Sequence, residues 1–229
     1  MISLAGDEVH IWRASLAAVE PVLTASWQIL AQDEKARAER FYFERDKHRF
    51  VVARAGLRTL LAQYADLPAC AIPLEYGPSG KPCLPSSFGL EFNLSHSQDA
   101  AIFVVARHPV GVDLEAIRPV QYALIVAEGF FTPAEIAALR LEPPDQLSEA
   151  FLRCWTRKEA YVKASGHGLS DADPSPGNWR LHDIDAGAGF LAALAVDCAN
   201  ATLTEPAAGA EILTSGPVST IFRYKGLEK

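Results

Sequence analysis

Apolar side chains recur at three- and four-residue steps at Phe50, Ala53, Leu57, Leu60, Leu61 and Tyr64, the spacing that turns one face of an α-helix toward a core. The turn-forming run EYGPSGKPCLPSS, starting at Glu75, ends that period. Short apolar runs then predict buried strands over 90–94 (LEFNL) and 100–106 (AAIFVVA), joined by the polar tip SHSQD, and a third over 110–114 (VGVDL). Beyond Pro119 the pattern is helical again. FFTPAEIAAL places Pro133 just inside a start capped by Thr132, and SEAFLRCWTRKEAYVKASG predicts a longer helix stopped by Gly166. Strands return at 189–197 and 217–224, with Pro- and Gly-containing loops around 171–178 and 205–216. Each part of the chain thus has a long helix followed by strands. The expectation is an α+β protein of two similar halves in one chain, residues 1–108 and 109–229, meeting at His108 and Pro109.

The composition narrows the partners. With 229 residues, nearly half of them hydrophobic, two packed halves can share a sizeable core. The 21 Lys and Arg against 28 Asp and Glu give a net charge of -7, which argues against nucleic acid or an anionic membrane, so any anion site is local. Cys70, Cys83, Cys154 and Cys198 are too scattered for a zinc site and read as reduced filler. The start MISLAGDEVHIW has no basic stretch followed by an apolar run, and the expectation is a soluble, cytoplasmic monomer.

Against this background a few polar residues stand out. Asp113 and Glu115, two apart on a predicted strand, project from one face among apolar neighbours. Such a pair is either an exposed strand end or a place for a cation such as Mg²⁺, which takes one or two protein carboxylates and keeps room for water and phosphate. On the helix over 148–165, Glu159 falls within the same arc of about 100° as Phe151, Leu152, Trp155 and Val162, so it needs a metal, a proton or a cation as partner. Lys163 lies one turn on, and the spacing alone equally describes a surface pair worth a few tenths of a kcal/mol. Basic residues gather from Lys35 to Arg49, either a phosphate clamp or a salt-bridged helical face, since Glu39, Glu44 and Asp46 are interspersed. GPSGK, ending at Lys81, is a plain turn or an anion-facing one, and lacks the glycine spacing of a Walker loop. His96 either meets a phosphate or caps the strand tip.

Taken in order, GKPCL, FNLSHS, VGVDLE, FFTPAE and RCWTRKEAYVKASGHGLS resemble the Sfp-type 4′-phosphopantetheinyl transferases, over roughly residues 33 to 170. The resemblance implies two similar α+β halves with coenzyme A in the cleft between them. It also implies that Asp113, Glu115 and Glu159 hold Mg²⁺, or Mn²⁺, against the coenzyme A pyrophosphate, with Lys163 beside it. Lys81, Pro82, Ser95 and His96 match positions that contact the nucleotide and its 3′-phosphate, and Arg37, Arg45 and Arg49 lie in the matching basic segment. Glu135 stands where some members carry an acid near the metal.

The reaction so implied is attack by a serine of an apo acyl or peptidyl carrier protein on the pantetheine-side phosphorus, expelling adenosine 3′,5′-bisphosphate. Glu159 is the candidate base, directly or through a metal-bound water, with Lys163 as phosphate contact or proton donor. The stretch from Gly166 to Trp179, including Leu169, is the expected carrier-docking loop. A carrier-binding module without activity and a generic Mg²⁺-dependent nucleotidyl or phosphotransferase are the competing readings.

Overall fold

The computed structural model describes residues 2–77, 80–166, 179–198, 202–203 and 221–223. Strands β1 (Glu8–Ser15), β4 (Glu91–Ser97) and β5 (Ala100–Ala106) form a sheet in the order β1-β5-β4, antiparallel at each junction. A second antiparallel sheet runs in the order β6 (Val110–Ala116), β8 (Phe190–Asp197), β7 (Trp179–Ile184). The short strands β2 (Glu75–Tyr76) and β3 (Pro82–Cys83) pair around the GPSGK turn. From the end of the chain, β9 (Thr202–Leu203) and β10 (Ile221–Arg223) hydrogen-bond to β1, so strands numbered with the second half complete the sheet of the first.

Alternation along the strands sets four layers. Trp12, Phe92, Phe103 and Val105 face the long helix α3 (Glu44–Ala65) and pack on Val52, Leu57, Leu60, Leu61 and Tyr64. The alternate residues Val9, Ile11, Ile102 and Val104 meet Val110, Val112, Leu114, Leu194 and Val196 of the second sheet. That is why AAIFVVA reads as an unbroken apolar run: both of its faces are covered. The outer face of the second sheet is covered by α6 (Leu147–Ser165), through Ala160, Tyr161, Ala164, Ala193 and Ala195. The remaining helices are α1 (Glu20–Ile29), α2 (Gln32–Ala38), α4 (Ala123–Phe130) and α5 (Pro133–Leu139).

Small residues let α6 lie close on its sheet. A Cβ on Gly111 of β6 would stand 2.2 Å from the Ala160 carbonyl oxygen and 2.4 Å from the Ala164 nitrogen, both backbone atoms of α6. Gly111→Ala is therefore expected to cost about 3 kcal/mol or more, read as a fall in the urea midpoint, because neither backbone can yield. A substitution that leaves the midpoint unchanged would contradict this packing.

Between β4 and β6 the two halves are joined by side chains rather than by a backbone ladder. On β4, Asn93 Oδ1 accepts from the Val112 N–H at 2.9 Å, Ser95 Oγ from the Leu114 N–H at 3.2 Å, and Ser97 Oγ from the Ala116 N–H at 3.0 Å. Alternate residues of FNLSHS thus satisfy alternate donors on the open edge of β6, which burial would otherwise leave orphaned.

Several sequence expectations shift. The polar tip is shorter than SHSQD, because β4 continues through Ser97 and the reversal is at Gln98, with φ 53°, and Asp99. Of the arc predicted for the second long helix, Phe151 and Leu152 are buried, while Trp155, Glu159 and Val162 are half-buried, and Ala160, Tyr161 and Ala164 pack on Ala193 and Ala195 of the sheet. β1, β7, α1, α2 and α4 were not anticipated. The loops expected over 171–178 and 205–216, and Leu169 with most of the expected docking loop, lie outside the described residues. Among the described residues no helix is long and apolar enough to cross a membrane.

Candidate active site

Asp113 and Glu115 leave β6 on the side covered by α6, the alternate positions Val112 and Leu114 being committed to the core between the sheets. Helix α6 brings Glu159 and Lys163 to the same place. Lys163 Nζ donates to Asp113 Oδ1 at 2.5 Å and to Ser95 Oγ at 3.2 Å, and Ser95 Oγ donates to Asp113 Oδ1 at 3.0 Å. One strand from each half and the helix therefore converge on a single carboxylate. Asp113 is 4 % exposed, and its second oxygen, Oδ2, is sealed from solvent with no hydrogen-bond partner.

Charge is unevenly matched here. Burial pushes the Glu115 carboxyl above the ordinary range and the charge of Asp113 adds to the rise, with Arg118 and Lys163 opposing it. Burial also raises Glu159, Lys163 pulling it back and Asp113 pushing it up again. Three acids share one close lysine, with Arg118 only at the margin, 4.0 Å from Glu115. Such an excess of negative charge is costly unless a proton or a further cation is added.

The donor set fits a hard divalent cation. Among the described residues no three His, Cys, Asp or Glu side chains are grouped so that together they could hold a metal ion. Mg²⁺ does not need three, since it is held by one or two carboxylates and keeps positions for water and phosphate oxygen. The orphaned Oδ2 of Asp113 and the two carboxyls pushed up by burial are the groups such an ion would satisfy.

A groove leads away from this cluster. A cavity of ≈ 300 Å³, lined by Lys81, Pro82, Leu94, Val162, Lys163 and Gly166, shares Gly80, Pro82, Asn93 and Leu94 with a second of ≈ 200 Å³ that reaches Arg37, Phe50, Arg54 and His96. The guanidiniums of Arg37 and Arg54 lie 5.3 and 5.6 Å from the centre of the Phe50 ring. Burial lowers the His96 pKa, and Lys163 and Arg49 lower it further, so the ring stands in a positive field. The groove thus runs from Lys163, the lysine of the acid cluster, to a basic end at Arg37, Arg54 and His96, and so offers cations to a ligand carrying two separated anionic groups.

The sequence candidates fall into three groups. Asp113, Glu115, Glu159, Lys163 and Ser95 are brought together, and Arg37, Pro82 and His96 line the groove. Lys81 lies in the groove wall with its ammonium donating to the backbone carbonyls of Val110 at 3.1 Å and Lys163 at 2.7 Å. It ties the GPSGK turn to β6 and to the last turn of α6. Arg45 points outward and pairs with Asp46, while Arg49 donates to Asp99 at 2.8 Å. Glu135 closes the capping box of α5 with Thr132 and lies 3.8 Å from Lys158, which itself sits over the Phe131 ring. The sequence reading missed Arg54. Its signal was an arginine one residue past Ala53 within the apolar run FVVARAGL, where a buried guanidinium needs a reason.

An acid and lysine centre at the junction of two α+β halves, opening on a groove with a basic far end, suits the handling of a phosphorylated substrate. Comparison with known proteins agrees. Residues 12–108 match the family model of the 4′-phosphopantetheinyl transferase N-terminal region, and residues 109–207 that of the 4′-phosphopantetheinyl transferase superfamily. The chain is 41% identical over 173 residues to the 4′-phosphopantetheinyl transferase HetI of Nostoc sp., covering 74% of this chain and 73% of that protein. It is 29% identical over 141 residues to the transferase Sfp of Bacillus subtilis, covering 62% of each. To AcpT of Salmonella typhimurium it is 44% identical over 114 residues, 49% of this chain and 55% of that one. The chain belongs to the Sfp-type 4′-phosphopantetheinyl transferases, enzymes that move the phosphopantetheine group of coenzyme A onto a carrier-protein serine.

Proposed function

We propose that this chain is an active, Mg²⁺-dependent transferase whose centre is Asp113, Glu115, Glu159 and Lys163, acting on an apo acyl or peptidyl carrier protein as a cytoplasmic monomer. The observation that carries the reading is the buried, unpartnered Oδ2 of Asp113 beside a lysine and two carboxyls pushed up by burial. Asp113 and Glu115, with Glu159, would hold Mg²⁺ or Mn²⁺, which when bound neutralises charge on the pyrophosphate oxygens. The basic end of the groove, with Arg37, Arg54 and His96, would take the 3′-phosphate, leaving the pyrophosphate at the acidic end.

In the transfer, the serine oxygen bonds to the pantetheine-side phosphorus, and the bond to the bridging oxygen breaks. Adenosine 3′,5′-bisphosphate leaves. Reactions of this kind depend on alignment and on neutralising spread charge more than on covalent participation. Glu159, whose pKa burial raises toward neutrality, accepts the serine proton. Lys163, fixed by Asp113 and Ser95, turns its remaining N–H toward the transferring phosphate. Lys81 keeps the last turn of α6 in place through the Lys163 carbonyl.

Mass spectrometry tests the assignment. Incubation with an apo carrier protein, coenzyme A and Mg²⁺ is expected to add roughly 340 Da to one serine, and chelation to prevent it. A carrier whose mass is unchanged would point instead to a binding module.

The raised carboxyls give a second expectation. A carboxyl with a higher pKa folded than unfolded holds more protons in the folded state, so the contribution of Glu115 and Glu159 to stability without metal is greatest at low pH and declines as pH rises through the raised values. Mg²⁺ binds the ionised form. Millimolar Mg²⁺ should therefore raise Tm by about 2–5 °C at about pH 8 and by much less at about pH 5. An equal gain at both would contradict a carboxylate site.

A further inference from the structure

Behind the basic end of the groove lies a charged cluster sealed from solvent. Glu34 of α2 is 1% exposed, and Arg54 and Arg58 of α3 are 5% and 2% exposed. Arg58 is held by three hydrogen bonds. Its Nε donates to Glu34 Oε2 at 2.6 Å, and its Nη1 to the carbonyls of Ile72 at 2.9 Å and Ala69 at 3.3 Å. The same Glu34 oxygen accepts from the Ala31 N–H at 2.9 Å, closing the first turn of its own helix.

Arg54 is held differently. Its Nε stands 3.5 Å from Glu34 Oε1 without the alignment of a hydrogen bond, and Arg54 Nε and Nη1 and Glu34 Oε1 are all buried without a hydrogen-bond partner. The rings of Phe50 and Tyr76 lie 5.6 and 5.9 Å from its guanidinium carbon and limit sideways movement. One carboxylate thus faces two guanidiniums, leaving one positive charge in excess. The guanidinium that lacks partners is the one lining the groove beside Arg37 and His96. An unmade hydrogen bond on a buried charged group costs about 1–3 kcal/mol or more, a cost that a bound anion would offset.

We infer that Glu34 is a positioning residue: anchored by Arg58 and the α2 backbone, it holds Arg54 in the groove wall with hydrogen-bonding capacity unspent, so that the site selects coenzyme A over its 3′-dephospho form. The inference rests on the reading of this end of the groove as the 3′-phosphate position. A closer pair would neutralise Arg54; with no acid behind it, the guanidinium would swing out toward water. Glu34 is itself out of reach of any ligand, so it acts through Arg54 alone.

Steady-state kinetics with coenzyme A and 3′-dephospho-coenzyme A, on the wild type, Arg54→Met, Glu34→Gln and the double variant, separate the possibilities. Arg54→Met should raise KM for coenzyme A about tenfold, with kcat and the dephospho KM within about twofold. Glu34→Gln should produce the same selective loss, about fivefold, and none further in the Arg54→Met background. If Glu34→Gln lowers kcat equally for both substrates, or shifts their KM ratio even without Arg54, the positioning role is overturned. If Arg54→Met leaves the ratio unchanged, the 3′-phosphate reading itself fails, and the inference with it. Should Glu34→Gln not fold, Glu34→Asp keeps the charge and shortens the reach, and is expected to shift the ratio about threefold. A folded Glu34→Asp enzyme with the wild-type ratio also overturns the role.

Discussion

Glu159→Gln is expected to lower kcat by about 10²-fold or more while the protein remains as stable as the wild type. The substitution keeps the shape of a side chain that sits half-buried on α6, so the packing of the helix is undisturbed. It removes a charge that burial opposes, as the raised pKa of Glu159 records. Above neutral pH that charge costs folding free energy in the metal-free protein, so an uncharged amide should hold or slightly raise Tm. An amide accepts no proton at neutral pH and is a poorer ligand for a hard cation. The measurement is single-turnover transfer to an apo carrier protein at saturating Mg²⁺, with thermal unfolding as the control. Near-wild-type turnover would remove Glu159 from the chemistry, and a large fall in Tm would mean that its role is structural.

How far the sequence disclosed this arrangement can be followed residue by residue. The D-x-E alternation on a strand was legible, because period two fixes which residues share a face, and Asp113 and Glu115 do leave β6 on the side opposite Val112 and Leu114. The helix carrying Glu159 and Lys163 was legible in its span and in its stop at Gly166, whose φ of 76° is the left-handed cap that glycine favours. The orientation of that helix was less so. Its closest approach to the sheet is made by Ala160 and Ala164 against Gly111, and periodicity arguments weigh large apolar side chains. The β4 and β6 seam was not legible at all. Asn93 reads as a lone polar residue of a buried strand and Ser95 and Ser97 as part of a polar tip, and only the approach of a second strand edge makes each an acceptor for a backbone N–H. The same reason hid Arg54 and Glu34. Charges far apart in the chain compensate one another only once α2 lies on α3, whereas the exposed arginines nearby, such as Arg45, draw attention by composition.

Lys163 and Asp113 should behave as one unit in stability and as two in catalysis. Lys163→Met leaves the 4% exposed Asp113 carboxylate with Ser95 as its remaining hydrogen-bond donor, and is expected to cost about 3 kcal/mol in the metal-free protein, the usual penalty for stranding a buried charge. Asp113→Asn strands a lysine that is 30% exposed in its side chain and can turn toward water, so its cost should be smaller, about 1 kcal/mol. With both charges gone nothing is left unpaired, and the double variant should recover much of the stability lost by Lys163→Met alone. Turnover should not recover. Each single variant is expected to lose about 10²-fold or more, because one removes a metal-binding oxygen and the other a cation beside the transferring phosphate, and the double variant should be at least as inactive as the worse of the two. Urea unfolding together with single-turnover transfer reads both quantities on the same four proteins. Recovery of activity in step with stability would mean that the pair serves only to fold the junction between the halves. Recovery of stability alone is what a catalytic centre built on a buried ion pair requires, since the contact that partners Asp113 inside the protein is the one that aims Lys163 at the substrate.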